Sequence, residues 1–268
     1  MIDTHCHLTF PDYRDKVDQT LADARAAGVT GCITISTTTQ DAPSALAIAR
    51  HHERVWCSAG VHPLYADQGP HDWKALAFIA RDPKCIAWGE LGLDNHYERP
   101  RRPVQQRVLE EQLGLIESWS REGLAKPVIL HCRKAFDDLI PVLRRSSLPP
   151  ERFVFHCFTG DSNDVRKCLE FGAMVSFTGV VTFANAVEVA AAAKLVPDER
   201  IMVETDAPFL SPEPVRSRWP NRPANVVHVA RFLAKLRGVD ANAFEQVLDA
   251  NAERFFGLGG REPSPPGS

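Results

Sequence analysis

Ile2-Asp3-Thr4-His5-Cys6-His7-Leu8-Thr9-Phe10 is the stretch on which the fold turns. Its apolar start reads as a strand. A strand alternates its side chains, so His5 and His7 share one face while Cys6 points to the other. An open dinucleotide-binding sheet would carry Gly-x-Gly-x-x-Gly after its first strand. This chain has His-Cys-His-Leu-Thr-Phe there instead. Two imidazoles projecting side by side from a strand end make half of a metal site. Alone, a His-x-His near a terminus is more often two ordinary histidines, so the rest of the chain has to decide.

Seven further β-like runs follow: Gly31–Ser36, Val55–Gly60, Cys85–Glu90, Val128–His131, Phe153–His156, Ala173–Phe177 and Ile201–Glu204. Helical patterns fall between them at Asp15–Ala27, Asp41–His52, Asp72–Arg81, Pro103–Glu122, Ala135–Arg145, Ser162–Phe171 and Ala184–Leu195. Two more follow the last strand, at Ala224–Leu236 and Asn242–Asn251. Apolar residues spaced by three and four support them, as with Leu109, Leu113 and Ile116. Gly28, Gly123 and Gly172 sit where helices should end. Alternation of this kind means parallel strands joined by crossover helices. Eight such units fit a (β/α)8 barrel, an α/β fold of about 250 residues. No composition break marks a boundary, so one barrel domain is expected over residues 1–257. The tail, residues 258–268, is rich in Gly, Pro and Ser and is expected to be disordered.

The 268 residues are 44% apolar and 24% charged, ordinary for a globular protein. A net charge of -3 argues against binding nucleic acid through the whole surface but leaves room for a local basic patch. No run is long enough for a membrane span, and Asp3 and His5 interrupt any signal-peptide start. The seven cysteines are dispersed singly with no Cys-x-x-Cys pair, which reads as reduced thiols in a cytoplasm.

A barrel builds its active site at the C-terminal ends of its strands. Those ends carry His5 and His7, then His62 in Gly60-Val61-His62-Pro63, then Glu90 in Gly89-Glu90-Leu91-Gly92-Leu93-Asp94. His131-Cys132-Arg133, His156 in Phe155-His156-Cys157-Phe158, and Glu204-Thr205-Asp206-Ala207-Pro208 complete the set. Polar, metal-competent residues thus end six of the eight strands. Cys6, Cys132 and Cys157 lie one residue from a candidate ligand, and alternation is expected to turn all three toward the helix layer, away from any ion. Imidazole and carboxylate donors suit zinc, manganese or iron, or magnesium with waters completing the shell. Four histidines and two carboxylates exceed the needs of one tetrahedral ion. Glu90, the carboxylate from the middle of the strand order, is the candidate bridge between two. Two ions held about 3.5–4 Å apart clamp both oxygens of a displacement and activate water at neutral pH. Asp206 can bind one ion and accept a proton from that water.

In order, His-x-His, Gly-x-His-Pro, Gly-Glu-x-Gly-Leu-Asp, His-x-Arg, Phe-His-Cys-Phe-Thr-Gly and Glu-Thr-Asp-Ala-Pro resemble the TatD family of metal-dependent deoxyribonucleases, which are amidohydrolase-type metal hydrolases. The resemblance runs from Ile2 to about Phe256. It implies a distorted, single-domain (β/α)8 barrel around a cluster of two or three divalent ions (magnesium, manganese or zinc). His5, His7, Glu90 and Asp206 would hold one ion, and Glu90, His131 and His156 the other. His62, Arg133 and Glu204 would contact the scissile phosphate or a further ion. Implied too are DNA as substrate, as single strands or 3' ends, and a monomer. Two departures bear on substrate choice. Asn221-Arg222-Pro223 puts a cation where many members have the carboxylate of Asn-Glu-Pro, and Asn95 stands where an aromatic is frequent.

Several residues carry two readings. His62 either reaches substrate and metals or braces the turn at Pro63. Arg133 either grips a phosphate bidentately or pairs with a barrel carboxylate such as Glu204. Asp94 supports a histidine. The run Glu98-Arg99-Pro100-Arg101-Arg102 either tracks a nucleic-acid backbone or is a solvated face. Arg216, Arg218, Trp219 and Arg222 follow the last strand and suit single-stranded nucleic acid, unless Trp219 merely packs the loop down. His51, His52, His71, His96 and His228 read as surface residues. The expected function is metal-dependent hydrolysis of DNA phosphodiester bonds. The alternative is the same barrel acting on a small-molecule amide, lactone or phosphoester.

Overall fold

The structure is a computed structural model that describes residues 1–258; the sequence's tail from Gly259 lies outside the described residues. Eight strands form one sheet in chain order: β1 (Ile2–Cys6), β2 (Gly31–Thr34), β3 (Val55–Ala59), β4 (Cys85–Asp94), β5 (Val128–Arg133), β6 (Phe153–Phe155), β7 (Met174–Phe177) and β8 (Ile201–Val203). Every neighbouring pair is parallel. The sheet curls until its first and last strands meet just past β8. Cys6 bridges Ala207 there, the Asp206 N–H donates to the His5 carbonyl at 2.9 Å, and the His7 N–H donates to the Ala207 carbonyl at 2.7 Å. This is the expected (β/α)8 barrel.

Seven helices link successive strands: α1 (Val17–Ala26), α2 (Ala42–His51), α3 (Trp73–Ile79), α4 (Arg102–Arg121), α5 (Phe136–Arg145), α6 (Ser162–Phe171) and α7 (Val187–Ala193). Then α8 (Val226–Arg237) and α9 (Ala241–Phe256) follow β8. Residues facing the helices form one apolar layer. Inward residues form another: Ile2, Ile33, Ile129, Val154, Met174 and Met202 pack together below the mouth, with Phe256 of α9 against them.

Two irregularities aim the site. Ile2 and His5 both face the interior although they are three positions apart, which strict alternation forbids. Between Asp3 and Cys6 the register slips, three steps on β1 matching two on β2 (Cys32 to Thr34). The same happens on β4, where three steps from Trp88 to Leu91 match two on β5, and both Ala87 and Glu90 turn inward. A bulge of this kind re-aims a side chain at the cost of one ladder position. On β4 it depends on glycine. Gly92 has φ 150, and a Cβ there would collide with the His131 carbonyl. The close pairing then continues to Asp94, four residues beyond the expected strand end. In contrast, β6 and β8 stop before His156 and Glu204, which lie on the first turns beyond them.

Candidate metal centre

Six strand ends converge on a cavity of about 700 Å³ at the mouth of the barrel. Glu90 lies at its centre, 1% exposed. Its Oε2 is 3.2 Å from His5 Nε2. Its Oε1 is 2.8 Å from His131 Nδ1, 2.7 Å from His156 Nε2 and 3.3 Å from His62 Nε2. On the first side, His5 and His7 bring their Nε2 atoms within 3.3 Å of each other, and Asp206 Oδ1 is 3.2 Å from His7 Nε2. On the second side, His62 Nε2 stands 3.0 Å from His131 Nδ1.

These spacings can be tested against an ion. Two donors at about 2.0–2.1 Å from a tetrahedral centre lie roughly 3.3 Å apart, and the nitrogen–nitrogen and nitrogen–oxygen contacts cluster near that edge. The inward nitrogen of His156 is buried and makes no hydrogen bond, although Glu90 is near. Imidazole and carboxylate donors with an unpartnered inward lone pair fit a borderline divalent cation. The charge balance agrees. Burial pushes the Glu90 carboxyl up, but the surrounding His156, His62 and His5 outweigh it and hold Glu90 well below the usual range. Burial brings the His62 imidazole down to about 4, so at neutral pH it is uncharged.

His131 and His156 are braced from behind, whereas the Nδ1 atoms of His5 and His7 are buried without a hydrogen-bond partner. His131 Nε2 is 2.9 Å from Asp94 Oδ2, which leaves Nδ1 to face Glu90. Asp94 Oδ1 accepts the N–H groups of His96 and Tyr97 at 2.8 and 3.2 Å. Gln105 on α4 clamps the Asp94 backbone, accepting its N–H at 2.8 Å and donating to its carbonyl at 3.0 Å. Gln112, two turns on, grips Val61 in the same way at 2.8 and 3.0 Å and so sets the approach to His62. His156 Nδ1 lies 3.2 Å from Glu204 Oε1. Both Glu204 oxygens are already engaged: Oε1 accepts the Cys157 N–H at 2.6 Å, and Oε2 accepts the Ser176 hydroxyl at 2.8 Å. Glu204 therefore sits behind His156, buried, rather than at the cavity surface. Asp206 takes a left-handed backbone with φ 54, a conformation that costs a non-glycine residue about 1 kcal/mol or more. Asp3 fixes the turn before it, accepting the Thr205 N–H at 2.9 Å and the Thr205 hydroxyl at 2.6 Å across the β1–β8 seam. Burial pushes the Asp3 carboxyl up to about 8 against those bonds.

The other sequence expectations fare unevenly. Cys6 and Cys132 are buried, but Cys132 and Cys157 both line the cavity, Cys157 because its left-handed backbone (φ 44) breaks the alternation that was to turn it outward. Arg133 forms no ion pair with Glu204 or any other carboxylate among the described residues; its guanidinium lies 5.2 Å over the Tyr97 ring at the cavity rim. His96 is exposed as expected, but it too lines the cavity. His62 serves both of its readings: Nδ1 accepts the Leu64 N–H at 3.0 Å and starts the turn, while Nε2 faces His131. In the departing motif, Arg222 pairs with Asp23 of α1 at 3.0 Å, and Asn221 is fully buried beneath the loop. Asn95 donates to Asp138 at 2.8 Å and does not enter the cavity lining.

Gln105, Gln112, Ser176 and Asp3 were not singled out from the sequence. The two glutamines did leave a signal. They sit seven residues apart on the apolar stripe of α4 with Val108, Leu109 and Leu113, where a polar residue has to be satisfied by something specific. Ser176 and Asp3 left none.

A closed parallel barrel with imidazoles and carboxylates gathered at its mouth defines a metal-dependent hydrolase. The family described as TatD related DNase matches residues 2–257, and the chain belongs to it. It is 37% identical over 259 residues to an uncharacterized metal-dependent hydrolase, YcfH, of Escherichia coli K12, covering 96% of this chain and 95% of that protein. It is 33% identical to the 3'-5' ssDNA/RNA exonuclease TatD of Klebsiella pneumoniae, covering 96% and 98%. Among solved structures, the TatD homologue YJJV of Escherichia coli superposes with a TM-score of 0.86 at 29% identity, covering 96% of this chain and 98% of that one.

Proposed function

We propose that this chain is a phosphodiesterase that hydrolyses DNA, as single strands or from 3' ends, with two divalent ions (magnesium, manganese or zinc). The observation that carries the reading is the position of Glu90, one of whose oxygens faces His5 while the other faces His131, His156 and His62. His5, His7 and Asp206 with Glu90 would hold one ion. His131 and His156 with Glu90 would hold the other, with His62 Nε2 beside them. Both oxygens of Glu204 are engaged, which argues against a third. Bound there, the ions supply a water of lowered pKa and positive charge facing the phosphate oxygens.

The chain's own groups do the rest. Burial pushes the Asp206 carboxyl up, but His7 and His5 hold it below the usual range, so it is ionised at neutral pH and can take a proton from water. Arg133 and Lys134 stand on the cavity wall without carboxylate partners among the described residues and can meet phosphate oxygens. Glu204 and Asp94 keep His156 and His131 turned inward. The nuclease name of the Klebsiella relative supports the same substrate.

Chelation followed by manganese or magnesium add-back, read on a labelled single-stranded oligonucleotide, tests the reading. Activity should vanish and return, and full activity in chelator refutes it. A second reading, a small-molecule ester or amide, has one observation in its favour: a cavity of about 700 Å³ falls among pockets that enclose small ligands. Salt separates the two. Affinity for DNA falls steeply with salt when several phosphates are neutralised, and a flat response favours the small molecule.

A further inference from the structure

Among the described residues, four Phe, Tyr or Trp side chains are exposed; Tyr97 at 50% and Phe209 at 39% line the cavity, and Trp219 at 63% lies beyond it, packed on Phe209. Exposed aromatics gathered at a site ask for a ligand. Two of the three form a ledge on one side of the cavity. Phe209 packs edge-on against His7 with ring centres 6.4 Å apart, and Trp219 follows it at 5.8 Å. Phe10 backs the ledge, stacked on His7 at 4.7 Å and meeting Phe209 edge-on at 5.8 Å.

The ledge is held rigid. Trp219 Nε1 donates to Asp12 at 3.1 Å, which orients the ring without covering it. Asn221 donates from its side chain to the carbonyls of Thr205 at 3.1 Å and Phe209 at 2.6 Å, tying both ends of the loop to the strand end that carries Asp206. The Ser211 hydroxyl closes the loop on the Arg218 carbonyl at 2.6 Å. If Trp219 served only to pack this loop down, its ring would be covered. The opposite wall of the cavity carries Arg133 over Tyr97 and Lys134 beside it, while the ledge's own loop carries Arg216, paired with Glu213, and Arg218 next to Trp219.

From this arrangement we infer that Phe209 and Trp219 form a stacking platform for two successive nucleobases, with the phosphates turned to the Arg133 side. The inference rests on the nuclease reading and adds to it how the strand is seated. An unpaired strand presents its base faces, whereas a duplex buries them. Stacking on ring faces tolerates any sequence, because every base has a π-face.

Two measurements test it. The first compares Trp219→Ala and Trp219→Phe with the parent on a single-stranded oligonucleotide and on one whose bases are removed near the cleaved end. Stacking predicts a KM about fivefold or more higher for Trp219→Ala on the base-bearing strand, recovery with Phe, and no difference on the abasic strand. The second titrates metal-free protein with oligothymidylate and follows tryptophan emission, in which Trp219 is the exposed member of five. Quenching should occur in the parent and be absent in Trp219→Ala. Cleavage with equal KM values and no quenching overturns the ledge and leaves the nuclease reading standing. Quenching without cleavage by metal-loaded enzyme upholds the ledge and overturns the nuclease reading.

Discussion

Replacing Asp94 with Asn removes one charge and no heavy-atom bulk, and its consequence follows from which atoms face each oxygen. Oδ2 lies 2.9 Å from His131 Nε2, and Oδ1 accepts two backbone N–H groups, from His96 and Tyr97. An amide has only one acceptor end. If its oxygen stays at the Oδ1 position, its NH2 faces Nε2. Nε2 must then accept, and the ring proton moves to Nδ1, the nitrogen 2.8 Å from Glu90 that has to be bare toward an ion. If the amide flips, Nε2–H keeps its acceptor, but the NH2 then opposes two N–H donors. Two backbone hydrogen bonds are lost at about 0.5–1.5 kcal/mol each, so about 1–3 kcal/mol in all. The protein takes the cheaper route, and either weakens one ion and spares the other. That corresponds to roughly 5- to 150-fold, in line with the roughly 10- to 100-fold seen when partners behind metal ligands are removed. Isothermal titration of metal-free protein with zinc or manganese should resolve one weakened and one unchanged class of site. Activity should fall at limiting metal and recover at excess. Two unchanged affinities, within about twofold, would show that Asp94 does not set the His131 tautomer.

Three other expectations follow from the same geometry. Burial would lower the His131 and His156 imidazoles, but Asp94, Glu90 and Glu204 outweigh it and raise both, so in metal-free protein they bind protons more tightly than free imidazoles do. Metal uptake should therefore release protons and weaken on acidification, read by calorimetry in buffers of different ionisation heat; no buffer dependence would contradict the paired state. Without metal, the stability those two histidines contribute is fully present below about pH 6.5 and is lost as pH rises through their raised values. Gly92→Ala should fail to give soluble, cooperatively unfolding protein, since its Cβ meets the His131 carbonyl; normal expression and melting would count against the close β4–β5 approach. Gln112→Leu should reduce turnover by disordering the approach to His62 and lower stability by about 1–3 kcal/mol through two unpaired backbone groups at Val61, checked by urea titration alongside activity.

The barrel was legible because its signal is periodic: apolar runs and amphipathic stretches alternate eight times, and side chains that carry chemistry sit where each run ends. The convergence of His5, His7, Glu90, His131, His156 and Asp206 followed from strand order and the general placement of barrel sites. What stayed hidden was local backbone geometry. The slips after Asp3 and Trp88 decide that His5 and Glu90 face inward, yet no residue type announces a register slip. The left-handed turn at Cys157 is likewise a product of the fold rather than of a glycine. Glu204 reads in sequence like Asp206, two residues on. Only the positions of Ser176 and the Cys157 N–H distinguish a carboxylate behind a ligand from one beside the substrate.

The seam between β1 and β8 brings together two groups far apart in the sequence, His5 and Asp206, which lie 3.6 Å from each other. During synthesis the first of these leaves the ribosome long before the second. A growing chain thus cannot assemble this cation trap until some two hundred residues have been made, by which time most of the cylinder exists to enclose it. Hydrolytic power arrives last, as a property of the finished circle, and an unfinished copy has none to misdirect.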